Sequence, residues 1–228
     1  MIREIHCADS EHLAAALAER VIAILADAIT SKGSASLVVS GGRTPKRLFE
    51  ILASRDLDWE KVSITLADDR LVPTDHDDLN AKLVRTFLLQ DKAAAAKFYP
   101  LWDGKGEPAN MAATALQNFE GRFDVLLLGM GDDGHTASLF PQAPGLAKAL
   151  DITDAEPLLI LPATSTRQAR VSLTLSRLAH SAHILLAFDG KSKRAVYERA
   201  LSQGPIAELP VRAVLRQAQA PVEVYWSA

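Results

Sequence analysis

With one cysteine in 228 residues, Cys7, the chain has no partner for an internal disulfide. That fits a reducing compartment, where thiols stay free. No apolar run approaches the roughly 20 residues of a membrane-spanning helix. The N-terminal stretch MIREIHCADSEHL carries charge and lacks the apolar segment of a secretory signal, so the expected location is the cytoplasm, away from membranes. A formal net charge of -3 leaves no global basic field, which argues against nucleic acid as a partner. A local basic pocket for a small anion remains open. There is no GxSxG elbow around a serine, Ser138 included, and no HExxH or paired-cysteine zinc motif. Internal repeats, low-complexity tracts and linker-like boundaries are also absent.

What is present suits a globular core that needs no disulfide or metal. A chain of this length buries roughly 70% of its unfolded surface. Residues Ser10 to Ser31 predict a helix, with Ser10 as N-cap, Leu13, Leu17, Val21, Ile24 and Ala28 at helical spacing, and Gly33 as terminator. A short strand, Ser36 to Ser40, runs into Gly41-Gly42-Arg43-Thr44-Pro45. Thr44 then caps a helix that Pro45 opens and that carries Leu48, Phe49, Ile51 and Leu52. A strand at Val62 to Ala67 leads into Asp68-Asp69-Arg70. A polar loop from Thr74 to Leu79 precedes a helix from Asn80 to Gln90, and Phe98 to Pro100 reads as a short strand or turn. Pro108 to Phe119 is helical, and Asp124 to Leu128 is a buried strand. Beyond Pro141, strands are expected at Leu158 to Leu161, Arg170 to Leu175, Ile184 to Phe188 and Val222 to Trp226, with a helix from Gly190 to Leu201. Strands separated by helices imply βαβ units and a mostly parallel sheet, here one α/β domain spanning residues 1–228.

Three strand-end loops are placed to carry chemistry, because ligands of such sheets sit beyond the strands' carboxyl ends. In the first, Ser40, Gly41, Gly42, Arg43 and Thr44 combine close backbone approach, hydroxyl donors and a helix N-terminus, which together attract phosphate. A plain capped turn would use the same residues. In the second, the consecutive acids Asp68 and Asp69 followed by Arg70 can orient a substrate or stabilise an oxyanion, and a solvated corner with weak salt bridges is the alternative. The nearby Asp75-His76-Asp77-Asp78 reads as solvated surface, not a metal site. The third, Gly129 to Pro141, formally matches a dinucleotide fingerprint. Asp132 and Asp133 would repel a pyrophosphate, and His135 stands where helix should already have begun. His135 is the one histidine of six set in a glycine-rich strand-end loop. Asp133, two residues before it, can fix its tautomer and raise its basicity, and a histidine that simply caps the following turn is the alternative. Later, Arg170 opens a strand, and Lys191 and Lys193 stand at a helix start. A cation there opposes the helix dipole, a conflict that a bound anion resolves; lysines that simply point into solvent are the alternative.

Taken in order, SGGRTP at Ser40–Pro45, DDRLVP at Asp68–Pro73, GMGDDGHTASLFP at Gly129–Pro141 and the Lys after Asp189-Gly190 resemble the 6-phosphogluconolactonases over nearly the whole chain. The related glucosamine-6-phosphate deaminases share the first loop and a similar histidine loop, but place an acid soon after the His. Here Ser138-Leu139-Phe140 has none. The family usually has Glu where this chain has Asp69, a shorter reach.

The resemblance implies a Rossmann-like three-layer α/β/α fold, as in the deaminases and ribose-5-phosphate isomerase. It implies hydrolysis of 6-phospho-D-glucono-1,5-lactone to 6-phospho-D-gluconate in the oxidative pentose phosphate pathway, with no organic cofactor and no required metal. Ser40, Gly41, Gly42, Arg43, Thr44, Arg170 and Lys193 would bind the substrate phosphate. Lys193 is preferred to Lys191 because the family's Lys stands three residues after the Gly. His135 would be the general base, Asp133 its orienting carboxylate and Arg70 the oxyanion partner. Asp68 matches the deaminases' base and here would orient substrate. A deaminase-like isomerase and a non-catalytic sugar-phosphate sensor are the rival readings.

Overall fold

The computed structural model describes residues 2–42 and 44–228. It opens with a strand that local pattern does not reveal, β1 (Ile2–Cys7), whose partner is the last strand of the chain. Helix α1 (Ser10–Lys32) follows. Its N-cap is Asp9 and not Ser10: the Asp9 carboxylate accepts the His12 backbone N–H at 2.9 Å, which the Ser10 hydroxyl, one residue further into the helix, is too late to do. Gly33 closes the helix as expected, and the predicted stripe from Leu13 to Ala28 is buried. Next come β2 (Ala35–Val39), α2 (Thr44–Ala53), β3 (Val62–Leu66) and a short β4 (Asp68–Arg70) where a loop was expected. The helix expected from Asn80 is one α-turn, α3 (Asn80–Leu83), widened into a π-type turn over Val84–Leu88.

The chain continues through β5 (Lys97–Phe98), α4 (Pro108–Leu116), β6 (Phe123–Gly129) and α5 (Leu146–Ala149). It ends with β7 (Leu158–Leu161), β8 (Arg170–Leu173), α6 (Leu175–Ala179), β9 (Ser181–Asp189), α7 (Lys191–Leu201), α8 (Val211–Arg216) and β10 (Val222–Ser227). Strand β8 stops two residues before its predicted end, because Thr174 occupies the N-terminal boundary position of α6 and Leu175 is already helical.

Seven strands form a parallel sheet in the order β1-β10-β9-β6-β2-β3-β5, flanked by helices. Its centre is buried on both faces, which explains the unbroken apolar run Val125 to Leu128. From β2 the chain builds outward to β3 and β5, and from β6 outward to β9 and β10. The strand order therefore reverses between β2 and β6, and a crevice opens beyond their carboxyl ends. The opposite end of this junction is locked by Asp124. Its carboxylate accepts the Ser36 N–H at 2.7 Å and hydroxyl at 2.9 Å, and lies 2.8 Å from Lys32 Nζ. No helix of the described residues is long and apolar enough to cross a membrane.

A second sheet, β4-β8-β7, is antiparallel. Its first strand is tied to α3 by Asp69, which is fully buried. One carboxylate oxygen accepts the N–H groups of Arg70 and Asn80, each at 2.7 Å, and the other accepts that of Ala81 at 3.0 Å. Burial pushes this carboxyl up to about 7, against the downward pull of the three N–H groups. The folded chain thus holds the Asp69 proton more tightly than the unfolded chain does. Its contribution to stability is complete below the unfolded value near 4 and is lost as pH rises through 7. In urea unfolding, the stability of the native chain relative to Asp69→Asn should therefore decline between about pH 4 and pH 7. A difference that grew with rising pH would show that the fold prefers the carboxylate.

Candidate active site

The crevice between the two halves of the parallel sheet is a pocket of about 350 Å³. The loop after β2 supplies Ser40, Gly41 and Gly42. The end of β6 and the loop after it supply Gly129 to Asp132 and His135. The antiparallel sheet supplies Asp68, Arg70 and Arg170, and the first turn of α7 supplies Lys193. Most of the residues expected from sequence thus meet in one place. Asp133 is outside the lining and stands behind His135. Lys191 is exposed and outside it as well. Arg43 and the side chain of Thr44 lie outside the described residues.

His135 is held from one side. Its Nδ1 lies 2.5 Å from Asp133 Oδ1, and the same oxygen accepts the His135 backbone N–H at 3.1 Å. The imidazole is thereby committed at Nδ1, leaving Nε2 for chemistry. Desolvation penalises the Asp133 charge, but the hydrogen bond and charge of His135 outweigh it and hold this carboxyl below the usual range. Gly131 makes room for the arrangement: a Cβ there would stand 2.2 Å from both Cε1 and Nδ1 of His135. On the far side the ring packs on Phe140, with centroids 4.4 Å apart. No helix follows this loop until Leu146, which removes the dinucleotide reading.

The loop then turns back sharply. Leu139 N–H returns to Thr136 O at 3.0 Å, and Ala137 adopts a positive φ of 48°, a strained conformation for a residue with a Cβ. The turn separates His135 from Ser138, whose buried hydroxyl donates to Asp68 Oδ2 at 2.5 Å. That oxygen is also 3.6 Å from Arg170 Nη1. Ser138 is thus bonded to a carboxylate and not to the imidazole, in keeping with the absence of a serine nucleophile motif.

The opposing feature is a concentration of cations. Arg70 and Arg170 sit directly opposite each other in the β4–β8 register, a like-charge pair that costs free energy in a sheet. Burial, and then the charge of Arg70, hold Arg170 below the ordinary guanidinium range, with Asp68 acting the other way. Arg167 lies 4.1 Å from the centroid of the Phe140 ring and Arg170 lies 5.1 Å from it. Lys193 has no ion-pair partner among the described residues. Five buried side-chain nitrogen or oxygen atoms lack a hydrogen-bond partner among the described residues. Three of them, Ser40 Oγ, Arg70 Nε and Arg170 Nε, belong to residues of this pocket. Unsatisfied donors beside excess positive charge and the start of α2 are what an anionic ligand would satisfy. Among the described residues, no group of three or more His, Cys, Asp or Glu side chains is arranged to hold a metal.

Two pocket features escaped the sequence reading. Asn80 registered only as the start of a helix, yet it is buried in the pocket wall between Gly41 and Arg70. The Asp68–Ser138 bond joins residues 70 positions apart, and no local signal marks it.

A family model described as glucosamine-6-phosphate isomerases/6-phosphogluconolactonase matches residues 8–226. The chain is 43% identical over 219 residues to a 6-phosphogluconolactonase of Rhizobium meliloti, covering 94% of each sequence. It is 44% identical over 225 residues to one of Pseudomonas putida, covering 96% of this chain and 90% of the other. The crystal structure of a 6-phosphogluconolactonase from Shewanella baltica superposes with a TM-score of 0.94 at 41% identity, over 100% of this chain and 98% of that one. The fold, the order of the loops and these similarities together establish that the chain belongs to the glucosamine-6-phosphate isomerase/6-phosphogluconolactonase family.

Proposed function

We propose that this chain hydrolyses 6-phospho-D-glucono-1,5-lactone to 6-phospho-D-gluconate in the oxidative pentose phosphate pathway, with residues 1–228 acting as one lactonase domain. The shared name of its relatives supports the reaction. The assignment of roles rests on one observation: a single pocket holds an imidazole fixed at Nδ1 by Asp133 together with cations whose donors are unsatisfied. The partner in this reading is a small sugar-phosphate lactone in the cytoplasm, not nucleic acid or a membrane.

The substrate has a phosphate dianion at one end and an ester at the other. Ser40, Gly41, Gly42, Arg43 and Thr44 receive the phosphate, and Arg170 and Lys193 close on it. Binding energy from this remote group positions the lactone carbonyl. His135 Nε2 takes a proton from water as the water oxygen bonds to the carbonyl carbon. The carbonyl electron pair moves onto oxygen, where Arg70 stabilises the oxyanion. Asp133 stays ionised and steadies the imidazolium. As the carbonyl re-forms, the bond to the ring oxygen breaks and His135 returns its proton to that oxygen. The new carboxylic acid then ionises to water. Asp68, bonded to Ser138 and close to Arg170, orients the phosphate-binding arginine and removes no carbon-bound proton. These steps require neither a metal nor an organic cofactor.

His135→Ala should lower kcat by about 10²–10⁴-fold with little change in KM, measured as acid release above the spontaneous rate. Turnover retained in that variant would remove the general-base assignment. Gly131→Ala, which forces the ring off Asp133, should lower kcat by about tenfold or more while the chain still folds. Arg170→Ala and Lys193→Ala should each raise KM for the phosphorylated lactone by about tenfold or more and leave turnover of glucono-1,5-lactone nearly unchanged. Equal losses on both lactones would contradict a phosphate site.

A further inference from the structure

Arg70 is held in place by oxygens that carry no charge. Its Nη1 donates to the main-chain carbonyl of Asp78 and, at 3.1 Å, to Asn80 Oδ1. The Asp78 carboxylate is occupied elsewhere, accepting from Gln168 Nε2 at 2.8 Å. Among the described residues no carboxylate lies within salt-bridge distance of Arg70, whereas Arg170 has Asp68 at 3.6 Å. Arg70 is therefore oriented without being neutralised.

Asn80 is built for that task. Its side chain is buried, and its amide orientation is determined by its partners: Nδ2 donates to the Asp68 carbonyl at 2.8 Å, and Oδ1 accepts from Arg70. A guanidinium only donates and a carbonyl only accepts, so neither a flipped amide nor a carboxylate satisfies both. Oδ1 also occupies the space beside Gly41, 1.8 Å from where a Cβ would stand. Behind it, Asp69 binds the Asn80 backbone N–H at 2.7 Å and fixes the main chain.

We propose that Asn80 is a positioning residue for the hydrolysis: its neutral amide aims the Arg70 guanidinium into the pocket and leaves that charge uncompensated for the substrate oxyanion. The inference rests on the reading of Arg70 as oxyanion partner. Two substitutions separate it from a packing role. Asn80→Asp keeps the size and the oxygen facing Arg70 but adds a cancelling charge. Asn80→Ala removes the oxygen and leaves the charge. Measured per folded molecule, Asn80→Asp should lower kcat by about tenfold or more, and by more than Asn80→Ala does, with KM changed by less than about threefold. A packing role demands the reverse order, with the isosteric Asp milder, and that order would overturn the proposal.

A second arm holds if Asn80→Asp fails to fold. Asn80→Ala is then compared with and without Arg70→Ala. If Asn80 acts through Arg70, the second change should cost less than about twofold once Arg70 is gone. Additive losses would overturn the proposal. Wild-type chain inactive on the lactone would defeat the functional reading itself, a different result from an active wild type with indifferent Asn80 variants.

Discussion

Two guanidinium groups stand opposite each other across β4 and β8, and much of the surrounding structure exists to hold them there. A sheet would relax such a pair by letting the side chains swing into water. Here Arg170 is half-buried against Asp68 and Phe140, and Arg70 is pinned by Asn80 and the Asp78 carbonyl. Further out, Ser138 holds Asp68, and Asp69 holds the backbone of Asn80. The repulsion is thus maintained by a buried polar network, which a bound anion would relieve. That is electrostatic preorganisation: the orienting cost is met in folding, before substrate arrives.

The histidine loop obeys the same logic with different means. Asp133 and His135 are two residues apart and find each other through a local turn, so their hydrogen bonds close within the loop itself. The turn after them is less relaxed, with Ala137 at positive φ. The reward is that two successive functional side chains, His135 and Ser138, serve different partners. Carboxylates occupy two roles around this pocket for a physical reason. Asp133 sits beside an imidazole and partly in solvent, where charge is favoured. Asp69 is sealed from water, where charge is penalised, and its work is to bind backbone N–H groups.

Much of this was legible from residues alone. Leu13 to Ala28 repeats at helical spacing, and the run from Val125 to Leu128 demands burial on both faces, so α1 and β6 could be read without coordinates. The glycine-bearing strand ends pointed to the crevice, and His135 with Asp133 pointed to a base. The misses share one cause. Strand β1 is an edge strand with no clean alternation, and it exists because β10, far along the chain, offers an edge to pair with. Strand β4 is three residues long and is a strand only because β8 lies beside it.

The sequence by itself therefore determined the elements that carry a local pattern. These are the periodic helix, the twice-buried strands, the glycine loops and the imidazole–carboxylate pair, whose hydrogen bonds close within a few residues. Tertiary structure alone decided that β8 would pair antiparallel with β4, that Ser138 would meet Asp68, and that Asn80 would stand between Gly41 and Arg70. Those contacts depend on where distant segments cross, and neither periodicity nor spacing records that. The like-charge pair at the heart of the pocket belongs to this second class, because only the sheet register brings Arg70 and Arg170 together.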